Sequence, residues 1–246
     1  MVTSDTIWMG FVALGAAFLK ATTGIGSAMI LVPAGALFLG SVQAVVLEAV
    51  LDAFGGAILL AVDKEKTATR GWLHMVLPLV AGTLVGSYLL SRLPIPSFTR
   101  LLRILLAVLA LWLLAGRPGL PPRWQSHRLG DHPGREAVVC AVAGLLGGTT
   151  GISGPPLIAY FGATLEKGPF RRAVTLLFLV DSIVRMASYA LTGLLRLDLL
   201  PWLVLTLPAM ALGILVGNRL FAHLPARRFP QVLGLVVLAI ALHLLR

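Results

Sequence analysis

Residues 18–40 read FLKATTGIGSAMILVPAGALFLG, and residues 145–167 read LLGGTTGISGPPLIAYFGATLEK, with Thr-Thr-Gly-Ile recurring intact at an offset of 127. Both stretches are apolar on either side of a Thr/Gly break. Glycine weakens a helix, and proline removes a donor and clashes with the preceding turn. Each stretch therefore predicts two short helices joined by an irregular segment. The match continues outward. Leu84-Val85-Gly86 and Leu93-Pro94 return as Leu215-Val216-Gly217 and Leu224-Pro225, and residues 98–114 align with 229–245 at an offset of 131. An offset that drifts this little over half a chain marks one duplicated unit, not a short-period solenoid. The expected organisation is a first repeat over 1–116, a basic loop over 117–135 with four Arg and four Pro, and a second repeat over 136–246.

The composition says where such a chain lives. Of 246 residues 58% are hydrophobic and 12% charged, with a mean hydropathy of +0.93. Water-soluble domains carry about 25% charged residues. Apolar blocks over 42–62, 71–91, 98–116, 170–194, 199–221 and 229–245 approach the roughly 20 residues needed to cross a bilayer. The reading is an all-α integral membrane protein at the cell membrane, multi-pass, with lipid as its surroundings. The net charge of +10 sits in connections and not along one polar face, so nucleic acid is not expected as a partner. A single cysteine, Cys140, excludes an intramolecular disulfide and reads as a small packing residue. Residues 1–5 carry no Lys or Arg, so a cleavable signal peptide is not expected.

Each repeat offers two short pieces, 7–21 and 27–40 in the first and 136–148 and 155–165 in the second, followed by three longer stretches. The short pieces can each cross, giving parallel halves, or fold back as a hairpin, giving three full spans per half and inverted halves. Lys and Arg favour cytoplasmic loops. With inverted halves, loops 63–70, 117–135, 166–172 and 219–228 hold 13 of them, against 5 on the other side, in loops 92–103 and 195–198 and at the C-terminus; parallel halves give 9 and 9. The inverted arrangement is expected, with both termini outside the cytoplasm.

The breaks carry the chemistry. Irregular backbone at membrane depth is tolerated where protein or water surrounds it. Paired Gly/Pro-interrupted segments in two halves point to a transporter's binding site. A helix N-terminus presents unbonded N–H groups and partial positive charge, and so suits an anion. The expected lining is Thr22, Thr23, Gly24, Gly26 and Ser27 from the first break and Thr149, Thr150, Gly151, Ser153 and Gly154 from the second. The alternative role of these small residues is close helix packing.

These motifs resemble the duplicated signature of the TauE/SafE sulfite exporter family: GTTGISGPPLIAYFGA in the second half, with GIGSAMILVP in the first. The resemblance covers nearly the whole chain. It implies transport of small sulfur-containing anions of the sulfite, sulfonate or thiosulfate class.

Lys20 lies four residues before Gly24 in an apolar stretch, where a cation is costly and commonly functional. Its counterpart is Gly147. It is expected to neutralise the bound anion; its alternative is snorkelling to an interface. Glu48 and Asp52 are four apart on one helix face and have no partner nearby in sequence. With Asp181 they are proton-coupling candidates, the alternative being pairing with Lys20 or Arg185 across the bundle. Asp181 and Arg185 share the same spacing and are expected to form an ion pair. His127, Asp131 and His132 lie together in the basic loop, too few for a closed metal site of about four ligands, so no metal or cofactor is expected. Trp72, Trp112, Trp124 and Trp202 fall near segment ends, as interfacial residues do.

The function so read is secondary transport of a small anion by alternating access, with a possible homo-oligomer as assembly. An anion channel using the same helix ends is the alternative. An enzyme is not expected, because no embedded His stands beside a Ser or Cys and no His-Glu-X-X-His run exists.

Overall fold

The computed structural model describes residues 4–23, 26–62, 72–114, 130–165 and 167–220. Gly24, His127, Trp124 and the final apolar stretch 229–245 lie outside the described residues, as do loop 63–70 and most of 117–135. Every described element is helical. In chain order they are α1 (Ser4–Thr23), α2 (Ala28–Leu39), α3 (Ser41–Val62), α4 (Leu73–Arg92), α5 (Ile95–Leu114), α6 (Pro133–Thr150), α7 (Gly154–Thr164), α8 (Lys167–Leu191) and α9 (Leu200–Leu220), with a 3-10 turn at Leu197–Leu199. Five helices are long and apolar enough to cross a membrane: α3, α4, α5, α8 and α9. At about 1.5 Å per residue, α2 and α7 reach only about 18 and 16 Å.

Three expectations need correction. The first short pieces are longer than 7–21 and 136–148, because α1 and α6 continue through the Thr-Thr pairs to Thr23 and Thr150. The hydroxyls explain this: Thr22 Oγ1 donates to Phe18 O at 3.0 Å and Thr150 Oγ1 to Leu146 O at 2.7 Å. Threonine satisfied by the carbonyl four residues back adds to the last turn without breaking it. The irregular part shrinks to the glycines that follow. Secondly, residues 167–172 are not loop but the first turn and a half of α8, and Arg171 there is buried. Thirdly, residues 95–103 belong to α5, so their arginines ride on a helix.

The packing is reciprocal. α1 lies along α9 and α6 along α4, while α3 and α8 face each other at the centre. Exchanging α1–α4 for α6–α9 reproduces the same principal contacts. Glycines set the α4–α6 approach: a Cβ on Gly144 or Gly86 would collide with backbone carbonyls of the opposite helix, those of Leu79 and Leu145. Helices with small residues at the contact can bring their backbones together, as membrane bundles do. Pro78 in α4 and Pro208 in α9 stand at matching places. Large apolar side chains such as Trp8, Phe11, Leu77, Ile104 and Val204 point outward. Charge is collected inside, the reverse of a soluble domain.

Candidate anion site at the two helix breaks

The first break joins α1 to α2 and the second joins α6 to α7. Gly151 ends α6 in the left-handed region, at φ 79°, where its N–H bonds Gly147 O at 2.8 Å. A side chain there is strained, so glycine is the residue that allows the sharp exit. Ser27 and Ser153 occupy the N-cap positions of α2 and α7, yet neither hydroxyl caps its own helix. Ser27 Oγ donates to Asp52 Oδ1 at 2.8 Å, while Ser153 and the Asp181 carboxylate both border the space at Gly147. Each break thus stands beside an aspartate on the central helix that follows it.

The starts of α2 and α7 meet. A Cβ on Gly154 would fall 2.7 Å from Met29 Cε, and one on Gly151 3.1 Å from Val32 Cγ2. Phe178 of α8 lies against both breaks: it would be 3.2 Å from a Cβ on Gly26 and 3.7 Å from one on Gly154, and its ring centre is 5.7 Å from Lys20 Nζ. Thr22, Ser27, Thr149, Thr150 and Ser153 are all buried. The threonine hydroxyls donate to their own helices, Thr149 to Leu145 O at 2.7 Å, so in this conformation they present lone pairs and not protons to the junction. Of Thr23 only the backbone is described.

A buried charge cluster stands beside the junction. Lys20, fully buried, pairs with Asp52. Arg185 Nη1 donates to Glu48 Oε2 at 2.6 Å; its Nε is 3.2 Å from Asp181 Oδ2, and its Nη2 is 4.0 Å from Asp52 Oδ2. Thr83 Oγ1 of α4 lies 2.6 Å from Asp181 Oδ1. Glu48 and Asp52, which lack a partner within α3, find theirs across the bundle. Glu48 Oε1 has no hydrogen-bond partner. Lys20 does not reach an interface, and the snorkelling alternative has no geometry here. Desolvating an ion costs several kcal/mol, offset only when partners are close and hydrogen-bonded. Five charges drawn together from α1, α3 and α8 satisfy that condition in large part.

Some of these contributors escape sequence reading. Phe178 and Thr83 carry no pattern of their own. Arg171 reads as a loop cation, yet its Nη1 donates to Ala21 O at the end of α1 and to Asn218 Oδ1, both at 3.0 Å. Arg171 stands directly beside Arg172 at the edge of an apolar block, so nothing in its local sequence sets it apart. Tyr189 OH donates to Gly148 O at 2.7 Å, tying α8 to the last turn of α6. His74 and Glu136 pair at the far end of α4 and α6. Cys140 is buried, and His132 is the N-cap residue of α6.

The family model described as sulfite exporter TauE/SafE matches residues 9–244. A relative named "Probable sulfite/organosulfonate exporter TauE", from Cupriavidus necator, is 34% identical over 148 residues, covering 58% of this chain and 54% of its own. The chain thus aligns with about half the length of that relative. No solved structure matches the chain. A multi-pass helical membrane protein with a duplicated Thr-Thr-Gly-Ile break, matched along nearly its whole length, belongs to the TauE/SafE sulfite exporter family.

Proposed function

We propose that this protein is a secondary transporter of a small sulfur-containing anion, of the sulfite, sulfonate or thiosulfate class, working by alternating access. The observation that carries the reading is the meeting of the N-terminal ends of α2 and α7 beside buried Lys20. Two helix N-termini and a cation converge there, and such ends favour anions by their partial charge; α2 adds unbonded N–H groups, whereas α7 offers fewer, because Pro155 and Pro156 in its first turn carry none. Ser27, Gly26, Gly151, Ser153 and Gly154 form the near lining, with Thr22, Thr149 and Thr150 behind them. The sulfur class rests on family membership and on the relative's printed name.

The reciprocal packing supports two related halves, residues 1–116 and 136–246, that rock about the α3–α8 contact. The distribution of basic residues favours both ends of the chain outside the cytoplasm of a cell membrane. Burial of the junction and of its charges supports a carrier over an open pore, because a channel needs a continuous wetted path.

The test is counterflow in proteoliposomes. Vesicles preloaded with unlabelled sulfite should accumulate labelled sulfite transiently above equilibrium, since exchange through a carrier is faster than net flux. Flux that never overshoots and does not saturate would replace the carrier with a channel. Absence of flux for sulfite, thiosulfate and ethanesulfonate alike would remove the sulfur-anion reading.

A further inference from the structure

The position that an anion would take beside Lys20 is held by an anion already. Asp52 Oδ1 accepts from both Lys20 and the Ser27 hydroxyl, while Oδ2 faces Arg185 Nη2 at 4.0 Å. One carboxylate therefore lies between the two buried cations and on the N-cap of α2. Ser27, whose hydroxyl would ordinarily bond the first turn of its own helix, gives it to Asp52 instead. A sulfonate or sulfite offers the same feature, two or more oxygens sharing negative charge, to the same three donors.

We infer that Asp52 is a tethered stand-in for the transported anion, and that substrate binds by displacing it while Asp52 takes up one proton from solvent. This rests on the transport reading above. The charge inventory requires the proton. Glu48, Asp52 and Asp181 against Lys20 and Arg185 leave the buried cluster at a formal −1. Adding a monoanion alone brings it to −2 and strands a buried carboxylate without its cation, an arrangement that burial strongly disfavours. Adding the monoanion together with a proton on Asp52 returns it to −1. The proton goes onto a carboxylate oxygen, Lys20 and the Ser27 hydroxyl exchange one oxyanion for another, and no covalent bond changes besides the new O–H. Anion and proton then cross together, without net charge movement for a monoanion.

The neighbours of Asp52 permit this. It faces Lys20 from α1, Arg185 and Asp181 from α8, and Glu48 one turn back on α3. α2 contributes no titratable side chain. α5 and α9, also packed on α3, carry Arg100, Arg103 and Arg219, none of which pairs with Asp52. Arg185 keeps Glu48 and Asp181 when Asp52 leaves, so Asp52 is the carboxylate free to neutralise.

Ethanesulfonate is the probe, because its own acid group stays ionised at every usable pH. Calorimetry of the whole protein in detergent, in two buffers of different ionisation heat, counts protons taken up per anion. The expected count is close to one where Asp52 begins ionised. Affinity should then weaken by about tenfold per pH unit as pH rises. Asp52→Asn should bind ethanesulfonate with no proton uptake and with affinity flat in pH, while Glu48→Gln and Asp181→Asn keep the uptake. Binding by the unaltered protein without proton uptake overturns the inference and leaves transport standing; so does uptake that survives in Asp52→Asn or vanishes in Glu48→Gln. Should Asp52→Asn fail to fold, infrared difference spectra of the unaltered protein decide: a new protonated-carboxyl band on binding supports the inference, and its absence overturns it. If ethanesulfonate, sulfite and thiosulfate neither bind nor exchange, the transport reading fails first and the inference falls with it.

Discussion

At the first break a lysine stands where the second break has a glycine, and the aspartates facing those two positions, Asp52 and Asp181, are themselves 129 residues apart in the repeat. Both aspartates lie by the N-cap serine of the adjoining short helix, and Asp52 accepts its hydrogen bond. They differ in what balances their charge. Asp52 leans on Lys20, whereas Asp181 is held by Thr83 and Arg185. Gly147 leaves the room that Asp181 fills, since a Cβ there would sit 2.5 Å from Asp181 Oδ2. One duplicated position is balanced in two ways: the second aspartate is held by Thr83 and by the arginine one turn along its own helix, and the first chiefly by a flexible lysine, which on the proposed mechanism another anion claims.

The largest effect that this difference implies falls on Arg185. Arg185→Gln leaves Glu48 and Asp181 buried without a cation, a loss on the order of 3–5 kcal/mol. The folded protein should become scarce in detergent, and its thermal midpoint should collapse. Lys20→Gln should act differently. Asp52 retains Ser27 and the more distant Arg185, so the protein stays folded with a smaller drop in midpoint, while sulfite exchange falls at least tenfold. Midpoints by tryptophan fluorescence beside exchange rates in vesicles separate the two. Equal damage to folding from both variants would erase the distinction between a locked and a displaceable aspartate.

The same contrast runs through the helix contacts. α4 and α6 meet with glycine on both sides, Gly82 and Gly86 against Gly144 and Gly148, whereas α9 brings Gly213 and Gly217 against Ala17 and Ala21 of α1. Gly144→Ala places a methyl into the backbone of α4 and should cost about 1–3 kcal/mol by overpacking. Ala17→Gly, at the matching place on α1, removes a methyl from a contact already built to hold it and should cost about 1 kcal/mol through helix propensity. Unfolding midpoints of the two variants in one detergent give the comparison.

Much of this was legible in the residues. The duplication, the breaks and the helical class follow from recurring Thr-Thr-Gly-Ile and from apolar blocks of membrane length, because lipid permits few alternatives for the backbone. Lys20, Glu48, Asp52, Asp181 and Arg185 announce themselves as charges in apolar surroundings. What the sequence could not supply is which of them meet. The i,i+4 spacing identified Asp181 beside Arg185, but Lys20 meeting Asp52 and Arg185 meeting Glu48 join residues 32 and 137 positions apart, which only the packing of α1, α3 and α8 decides. The end of α1 falls later than the residues suggest, for a local reason. Thr22 reads as a break residue until its hydroxyl is seen to bond the preceding turn.

The finest test of the comparison lies in the two N-cap serines. Ser153→Ala leaves Asp181 its contacts with Thr83 and Arg185, so stability should fall by no more than about 1 kcal/mol. Ser27→Ala removes a hydrogen bond worth about 1 kcal/mol from Asp52, but on the proposed mechanism the same hydroxyl is offered to the substrate once Asp52 has moved aside. Resting and loaded forms then lose comparable amounts, and affinity for ethanesulfonate should change by less than threefold. Ser27→Asp breaks that balance: a second carboxylate at the N-cap of α2 competes for Lys20, and affinity should weaken by tenfold or more, most strongly at high pH. Calorimetry on the three variants resolves the pattern. If Ser27→Asp binds as well as the unaltered protein, the N-terminal end of α2 is not where the anion rests.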